Sequence, residues 1–313
     1  MDPITHFASG ALLSRSGFGP KYGRAAAFAV IGGAIFPDID VFLLFFNRML
    51  AYKQHRGLTH SFIGLLIFPF IIAFFIYLIG KFKKYWHLVG FFSLGMLVHI
   101  CLDLLGSWGT QVFYPITDKR YSLDYVSFID YYFMLIIFIT LLISVRFKKK
   151  GIKMARIGLV VLGGYLALCI TSHYIAQAKF KHILQNDNIH YTKVSTLPSF
   201  RGGPFNWRGI AESKSSFYRS ETFHLFSNPI EVKEYKKEPT NKYIKIACQA
   251  EPVKLYLWYA EYPLFKTIHQ SDNYIIRIWD LRYREPDKKY EESYGIQITI
   301  DNKGKIVAIT NFF

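Results

Sequence analysis

The chain changes texture once along its length. Up to about residue 176 the apolar residues come in long runs, and beyond it they alternate with polar ones. Four runs stand out. Residues 62–80 carry no charge, and residues 86–105 hold only His87, His99 and Asp103 as acidic or basic side chains in an apolar background. Residues 126–145 are apolar apart from Asp130 at their start, and residues 157–176 are uncharged with a single histidine, His173. A bilayer core about 30 Å thick takes roughly 20 helical residues, so each run is long enough to span. The first 50 residues read as two shorter Ala/Gly-rich helices, 4–13 and 24–36, joined by a basic turn with Arg15, Lys21 and Arg24. A span over residues 25–46 would put Asp38 and Asp40 into hydrocarbon, which is costly unless they pair or bind a metal. The pattern therefore predicts a re-entrant or interfacial helical hairpin, with His6 and Asp38–Asp40 together at its open end.

Residues 177–200 read as an amphipathic extension and linker, and residues 201–210 as a turn-rich segment. Strand-like stretches follow at 216–225, 243–250, 255–260, 274–284, 294–300 and 305–312. The alternation in YIIRIWDLRYR and YGIQITI is that of half-buried strands. Asp301-Asn302-Lys303-Gly304 predicts a hairpin between the last two. The fold class is α+β: a multi-span all-α membrane domain over residues 1–176, followed by a small antiparallel β-rich domain over residues 177–313.

Composition narrows the classes. The chain is 51% hydrophobic and 19% charged, against a globular norm of about 25% charged, which excludes a disordered, collagen-like or disulfide-scaffold protein. Cys101, Cys169 and Cys248 form no disulfide framework. The net charge of +16 invites a nucleic-acid reading. Its distribution argues otherwise. Lys81, Lys83 and Lys84 fill the linker after the first run. Arg146, Lys148, Lys149, Lys150, Lys153 and Arg156 fill the linker after the third, with no acid in either. Both linkers fall on one side of a four-span zigzag, and the positive-inside rule makes that side cytoplasmic. The expected partner is then the lipid bilayer, not nucleic acid. The expected place is the cytoplasmic (inner) membrane, multi-pass, with the region from residue 177 onward extracytoplasmic. The opening Met1-Asp2-Pro3 lacks the basic and apolar stretches of a cleavable signal peptide.

Metal-ligand residue types cluster in the first 103 residues: His6, Asp38 and Asp40, His55 and His60, His99, and Asp103. His99 and Asp103, four apart, share one helix face. An imidazole and a carboxylate placed so form half of a divalent-metal site. Asp38 and Asp40 lie on a stiff proline turn, and His55 and His60 flank a glycine turn that also carries Arg56, Thr59 and Ser61. Each element has a plain structural reading: a helix-ending turn, interfacial histidines, a helix–helix polar pair. Ionisable residues inside spans favour the functional reading of the set. His87 reads as interfacial, and His173, His190, His224 and His269 lack ligand-like spacing.

Met1-Asp2-Pro3-Ile4-Thr5-His6, Phe36-Pro37-Asp38-Ile39-Asp40, His55-Arg56-Gly57-Leu58-Thr59-His60-Ser61 and His99-Ile100-Cys101-Leu102-Asp103 resemble the YdjM family, closely over about residues 1–125. With residues 177–313 appended, the arrangement resembles the longer YfhP-like members. The resemblance implies a membrane-bound, metal-dependent hydrolase. The ligand pattern is also distantly similar to the zinc-dependent phospholipase C group, which implies phosphoester chemistry and zinc. The leading Trp of that group is absent here, so the number of ions stays open at one to three.

The reading that follows is an integral-membrane metal-dependent hydrolase. It is expected to act on a phosphoester or lipid-linked substrate at the outer membrane face through a metal-activated water. One of Asp38 and Asp40 would serve as a metal ligand and the other as general base, and Arg56 would pair with a substrate phosphate or, more plainly, with a lipid headgroup or Asp40. The alternative is a non-catalytic membrane protein with a structural metal cluster and a partner-binding outer domain. A transporter is disfavoured, because the spans show no inverted repeat. The sequence says nothing of the oligomeric state.

Overall fold

A computed structural model describes the chain except residues 47, 81, 83, 148–149, 201, 228, 284–294 and 313, and the side chains of 48, 311 and 312. Lys81, Lys83, Lys148 and Lys149 of the basic linkers, Arg201, and Arg284 and Tyr294 at the ends of two expected strands lie outside the described residues.

The helices of the first part are α1 (Pro3–Leu13), α2 (Gly19–Tyr22), α3 (Arg24–Ile35), α4 (Arg48–Gln54), α5 (Phe62–Ile79), α6 (Tyr85–Leu104), α7 (Tyr131–Arg146) and α8 (Gly151–Asn186). A five-residue π-helical turn, Ser14–Phe18, follows α1. A 3-10 helix, Phe36–Phe45, continues α3. Among the described residues four helical stretches are long and apolar enough to cross a membrane: Arg24–Phe45, Phe62–Ile79, Tyr85–Leu104 and Gly151–Asn186.

Three of these expectations need correction. The second arm of the N-terminal hairpin does not stop at Pro37. It continues as one apolar stretch through Asp38 and Asp40, because Pro37 sits in the first turn of the 3-10 helix, where a missing N–H costs nothing. The run expected over 126–145 begins only at Tyr131 and is a shorter, 16-residue helix. Asp130 is its N-cap, accepting from the Tyr132 and Phe133 amides at 3.0 Å each, and it also receives the Tyr165 hydroxyl. The run expected over 157–176 is the middle of a 36-residue helix.

The chain divides into two compact units. One comprises Met1–Ile175 with Leu197–Asn206, and the other Ala176–Thr196 with Trp207–Phe313. In the first unit α3 packs along α6, and Gly33 and Gly95 set how closely. A Cβ on Gly33 would fall 2.1 Å from the Phe92 carbonyl oxygen, and one on Gly95 would fall 2.2 Å from that of Val30. Small residues let membrane helices approach backbone to backbone in this way. Ala26, Ala29 and Val30 of α3 meet Leu88, Phe92 and Met96 of α6 in the buried core beside the crossing.

The second part is α+β. β1 (Lys193–Pro198), β2 (Asn206–Glu212), β3 (Ser216–Ser220) and β5 (Val232–Lys236) form one sheet in the order β1-β2-β3-β5, with β4 (Phe223–His224) paired to β2. β6 (Pro263–Gln270), β7 (Asn273–Asp280), β8 (Gly295–Asp301) and β9 (Ile306–Phe312) form a four-stranded antiparallel meander. The Asp301–Gly304 hairpin is present, closed by the Gly304 amide on the Asp301 carbonyl with Gly304 at φ +87°. Tyr243–Ala250 and Leu255–Ala260 are not strands. They belong to α9 (Lys242–Ala247) and α10 (Glu251–Tyr259). Asn241 caps α9 through the Ile244 amide, and Pro252 lies in the first turn of α10. Ile244 and Ala247, then Val253 and Tyr256, repeat every three residues and pack on Ile276, Ile278, Ile296 and Ile298 of the meander. Cys101, Cys169 and Cys248 are all free.

Candidate metal centre

Four stretches of the first unit converge on one point. Asp2 caps α1, accepting from the Thr5 amide at 3.0 Å, and so fixes the start of the helix that carries His6. The 3-10 continuation of α3 carries Asp38 and Asp40. The loop before α5 turns at Arg56, with φ +62°, into a single 3-10 turn ending at His60. Its Ser61 caps α5 by accepting from the Gly64 amide at 2.9 Å. α6 supplies His99 and Asp103 on one face. His6, His60, His99 and Asp103 are completely buried.

Hydrogen bonding fixes the state of two imidazoles. His99 Nδ1 lies 2.7 Å from the Ala34 carbonyl, which can only accept, so Nδ1 carries the proton and Nε2 presents a lone pair. This contact exists because Gly33 and Gly95 bring α3 so close to α6. Thr59 Oγ1 donates to Asp40 Oδ2 at 3.0 Å and therefore accepts from His60 Nδ1, also at 3.0 Å. In the neutral ring that leaves His60 Nε2 as the lone pair. The two Nε2 atoms face each other at 3.0 Å. Asp103 Oδ2 lies 3.3 Å from His60 Nε2 and 3.6 Å from His99 Nε2, and Asp38 Oδ1 lies 3.6 Å from each.

These atoms are all acceptors. Asp38 Oδ2, Asp103 Oδ2 and His6 Nδ1 are also buried without a hydrogen-bond partner. An orphaned buried polar atom costs about 1–3 kcal/mol, and more for a charged one. A cation among them relieves that cost. The 3.0–3.6 Å separations are close to the spacing of about 3.3 Å between ligands held roughly 2.0 Å from a tetrahedral zinc. His6, Asp38 and His99, and likewise His60, His99 and Asp103, have donor atoms within 4.8 Å of one another and can hold a metal ion. The basicity of His60 expresses the same surplus of negative charge. Burial opposes its protonation, but hydrogen bonds to Asp103, Asp38 and Asp40 outweigh burial and push it up to about 10, so a proton and a metal ion compete for Nε2. His6, stacked on His99 at 3.6 Å between centroids, goes the other way, because burial outweighs Asp103 and pulls it down to about 4.

The second oxygen of Asp103 has a different set of partners. Oδ1 meets the Met1 amino group, Arg56 Nη2 at 3.1 Å and His6 Nε2 at 3.2 Å. Arg56, expected as a phosphate-binding group, is buried in this ion pair, and its backbone amide donates to Asp40 Oδ2 at 3.0 Å.

Of the seven residues named as ligands from the sequence, His6, Asp38, His60, His99 and Asp103 come together around this point. Asp40 and His55 stand behind His60. Asp40 Oδ1 accepts from His55 Nδ1 at 2.9 Å, and Asp40 Oδ2 receives Thr59. Asp40 thus orients His60 through a hydroxyl, the usual task of a carboxylate behind a metal-binding imidazole. His173 instead bonds the Asp124 carbonyl. Three contributors escaped the sequence reading: the Ala34 carbonyl, the Met1 amine, and the Gly33/Gly95 crossing. The glycines were visible as residues, but their pairing across two helices is a matter of tertiary register.

Comparison with known proteins adds a family and one relative. The family model described as YdjM inner membrane protein matches residues 1–176. The "Uncharacterized protein YfhP" of Bacillus subtilis (strain 168) is 24% identical over 291 residues, which cover 91% of this chain and 87% of that protein. No solved structure matches the chain.

Proposed function

Because the chain belongs to the YdjM inner membrane protein family, we propose that it is a membrane-embedded, metal-dependent hydrolase of phosphoesters holding a single divalent ion, zinc by the chemistry of its ligands. The observation that carries this reading is the meeting of two imidazole lone pairs and two carboxylates, with buried orphan oxygens on Asp38 and Asp103. His and Asp together suit zinc. His99 has one nitrogen committed to Ala34, so only one ion can take its other nitrogen, which supports a single ion. On the Asp103 Oδ1 side, the Met1 amine and the Arg56 guanidinium supply the positive charge a second ion would bring.

A bound divalent ion supplies Lewis acidity and brings a water toward pKa ~7. The chain's residues do the rest. Ala34 and the Thr59–Asp40 relay hold His99 and His60 in the tautomers that leave Nε2 free. Arg56 and the Met1 amine hold Oδ1 of Asp103 and leave its Oδ2 aimed inward. Asp38 is the one ligand whose side chain reaches the surface, at 20% exposure, and its Oδ2 has no partner. Substrate reaches the site past Asp38, and Asp38 Oδ2 is the atom that accepts a proton from the attacking water. In this reading the centre lies toward the outer face of the cytoplasmic membrane, opposite the basic linkers, and residues 177–313 are extracytoplasmic. A reporter fused to the C-terminal end tests that placement, and cytoplasmic signal would reverse it.

One feature favours a purely structural ion: four of the five converging residues are sealed from solvent. Enclosed ions commonly stabilise a fold. The deciding experiment measures bound metal and hydrolysis of soluble phosphoesters and phospholipids by the purified protein, with and without chelator. The Asp38→Asn variant is measured alongside. Turnover that chelation removes, and that Asp38→Asn loses while keeping metal, supports the hydrolase. Bound metal with no turnover of any phosphoester identifies the structural ion instead.

A further inference from the structure

The charges of the membrane unit are sorted by end. Residues 3–37, 62–102 and 131–186 contain no Asp or Glu. The carboxylates Asp2, Asp38 with Asp40, Asp103 and Asp130 stand at one end of α1, α3, α6 and α7 respectively. The other ends carry Arg15, Arg24, Lys84 and Arg146. Helix dipoles do not explain this. In α3 and α6 the cation is at the N-terminus and the carboxylate at the C-terminus, the reverse of what the macrodipole favours. The sorting therefore answers to something outside the helices.

At the basic end two arginines make a defined structure. The π-helical turn Ser14–Phe18 is clasped from two sides. Arg15 Nη2 donates to the Ser144 carbonyl near the end of α7 at 2.5 Å, and Arg156 Nε of α8 donates to the Ser16 carbonyl at 2.8 Å. Each guanidinium rests against a glycine. A Cβ on Gly17, which sits at φ +155°, would be 3.4 Å from Arg156 Nη2, and one on Gly151 would be 2.9 Å from Arg15 Nη2. Arg15 Nε is buried with no hydrogen-bond partner. Two guanidiniums are thus held in place by carbonyls, which do not neutralise them, in a stretch of chain with no carboxylate to offer. Lys21 and Lys153 flank them in sequence.

We propose that this end of the membrane unit is a binding site for the phosphate headgroup of an anionic phospholipid, formed by Arg15 and Arg156. A guanidinium presents planar paired donors that match phosphate oxygens. Basic pockets between membrane helices take such headgroups. The apolar helices that flank the arginines supply the surface for the acyl chains, which is why the occupant is a lipid rather than free phosphate. The site lies at the end remote from the metal centre and does not depend on catalysis there.

The test uses the full chain in a neutral detergent, with lipid retention read by native mass spectrometry. Phosphatidylglycerol should be retained over phosphatidylcholine, and inorganic phosphate should not displace it. Arg15→Gln and Arg156→Gln should each lower retention by about five-fold, the factor expected for one basic residue at an anionic surface. Arg277→Gln, a surface arginine of the second unit, should leave it unchanged. Arg156 is exposed, so its variant decides the matter even if Arg15→Gln fails to fold. Equal retention of the two lipids, or undiminished retention by Arg156→Gln, overturns the proposal. Displacement by inorganic phosphate overturns the lipid assignment.

Discussion

Asp103 and Arg282 are both buried charges, each at the heart of a cluster in its own unit, and the clusters are built on opposite principles. Around Arg282 every polar atom has a counterpart. Its guanidinium donates to Asp280 Oδ2, to Glu261 Oε1 and to the Tyr259 carbonyl, each at 2.8 Å, and lies against the rings of Tyr259 and Tyr283. Asp280 Oδ1 in turn accepts from the Arg282 amide at 3.0 Å. Around Asp103, acceptors outnumber donors: the carboxylates of Asp38 and Asp103 meet the imidazoles of His60 and His99, the fixed cations reach only Oδ1 of Asp103, and buried atoms go unpaired. A buried ionic group whose hydrogen bonds are complete specifies a fold. One left short of positive charge specifies a ligand. The difference is one of bookkeeping between donors and acceptors, not of residue type or depth.

Removing the central charge from each cluster tests this most severely. Asp103→Ala should cost about 3–5 kcal/mol, as breaking a buried ion pair does, and should also abolish bound metal. Arg282→Ala should cost a similar amount and leave metal content untouched. Thermal unfolding with elemental analysis of the purified protein reads both. If Asp103→Ala keeps its metal, the contrast fails. Chelation comes next. It should lower the unfolding temperature of the natural protein but not that of Asp103→Ala, and urea denaturation of variants around Arg282 should be indifferent to it.

Smaller effects sharpen the boundary of the centre. Asp40→Asn should weaken metal binding by about 10- to 100-fold, the range for a group behind a ligand, measured by competition with a chelating dye. A loss of metal as complete as that of Asp103→Ala would move Asp40 into the ligand set. The smallest effect lies in the satisfied cluster. Burial would raise the Glu261 carboxyl, but Arg282 and then Lys193 hold it below its usual range. Its contribution is present above about pH 4.5 and is lost as the pH falls through the lower folded value. The side chain is 40% exposed, so the effect should stay under about 1 kcal/mol. Glu261→Gln should flatten that part of the stability–pH curve, whereas an unchanged slope would assign it elsewhere.

Much of the candidate centre is readable because its chemistry is carried by residue types that are rare in apolar sequence. His99 and Asp103 stand out in a span, and His60 and Asp38 stand out beside one. What could not be read are the parts made by backbone: the Ala34 carbonyl that sets the His99 tautomer, and the amine that meets Asp103. Arg56 stands out in the sequence as a cation with several candidate partners, a phosphate, a headgroup or Asp40, but not Asp103. Its partner lies 47 residues on, and nothing local distinguishes a guanidinium that turns inward. In the second unit YGIQITIDNKGK announced its hairpin, since alternation and turn chemistry agree there. YIKIACQA and LYLWYA were misread because short apolar–polar alternation also fits a few turns of helix. The Asn241 cap and Pro252 were the local marks that favoured helix.

The His99–Ala34 contact also imposes an order on assembly. Residues 6, 38 and 60 leave the ribosome well before residues 99 and 103, and none of them alone has a complete ligand set. Only when α6 has been inserted and has slid its Gly95 against Gly33 does His99 gain the carbonyl that turns its ring toward the others. For the proposed centre, metal loading would then follow membrane insertion and would draw its ion from the compartment that the Asp38 side of the finished unit faces.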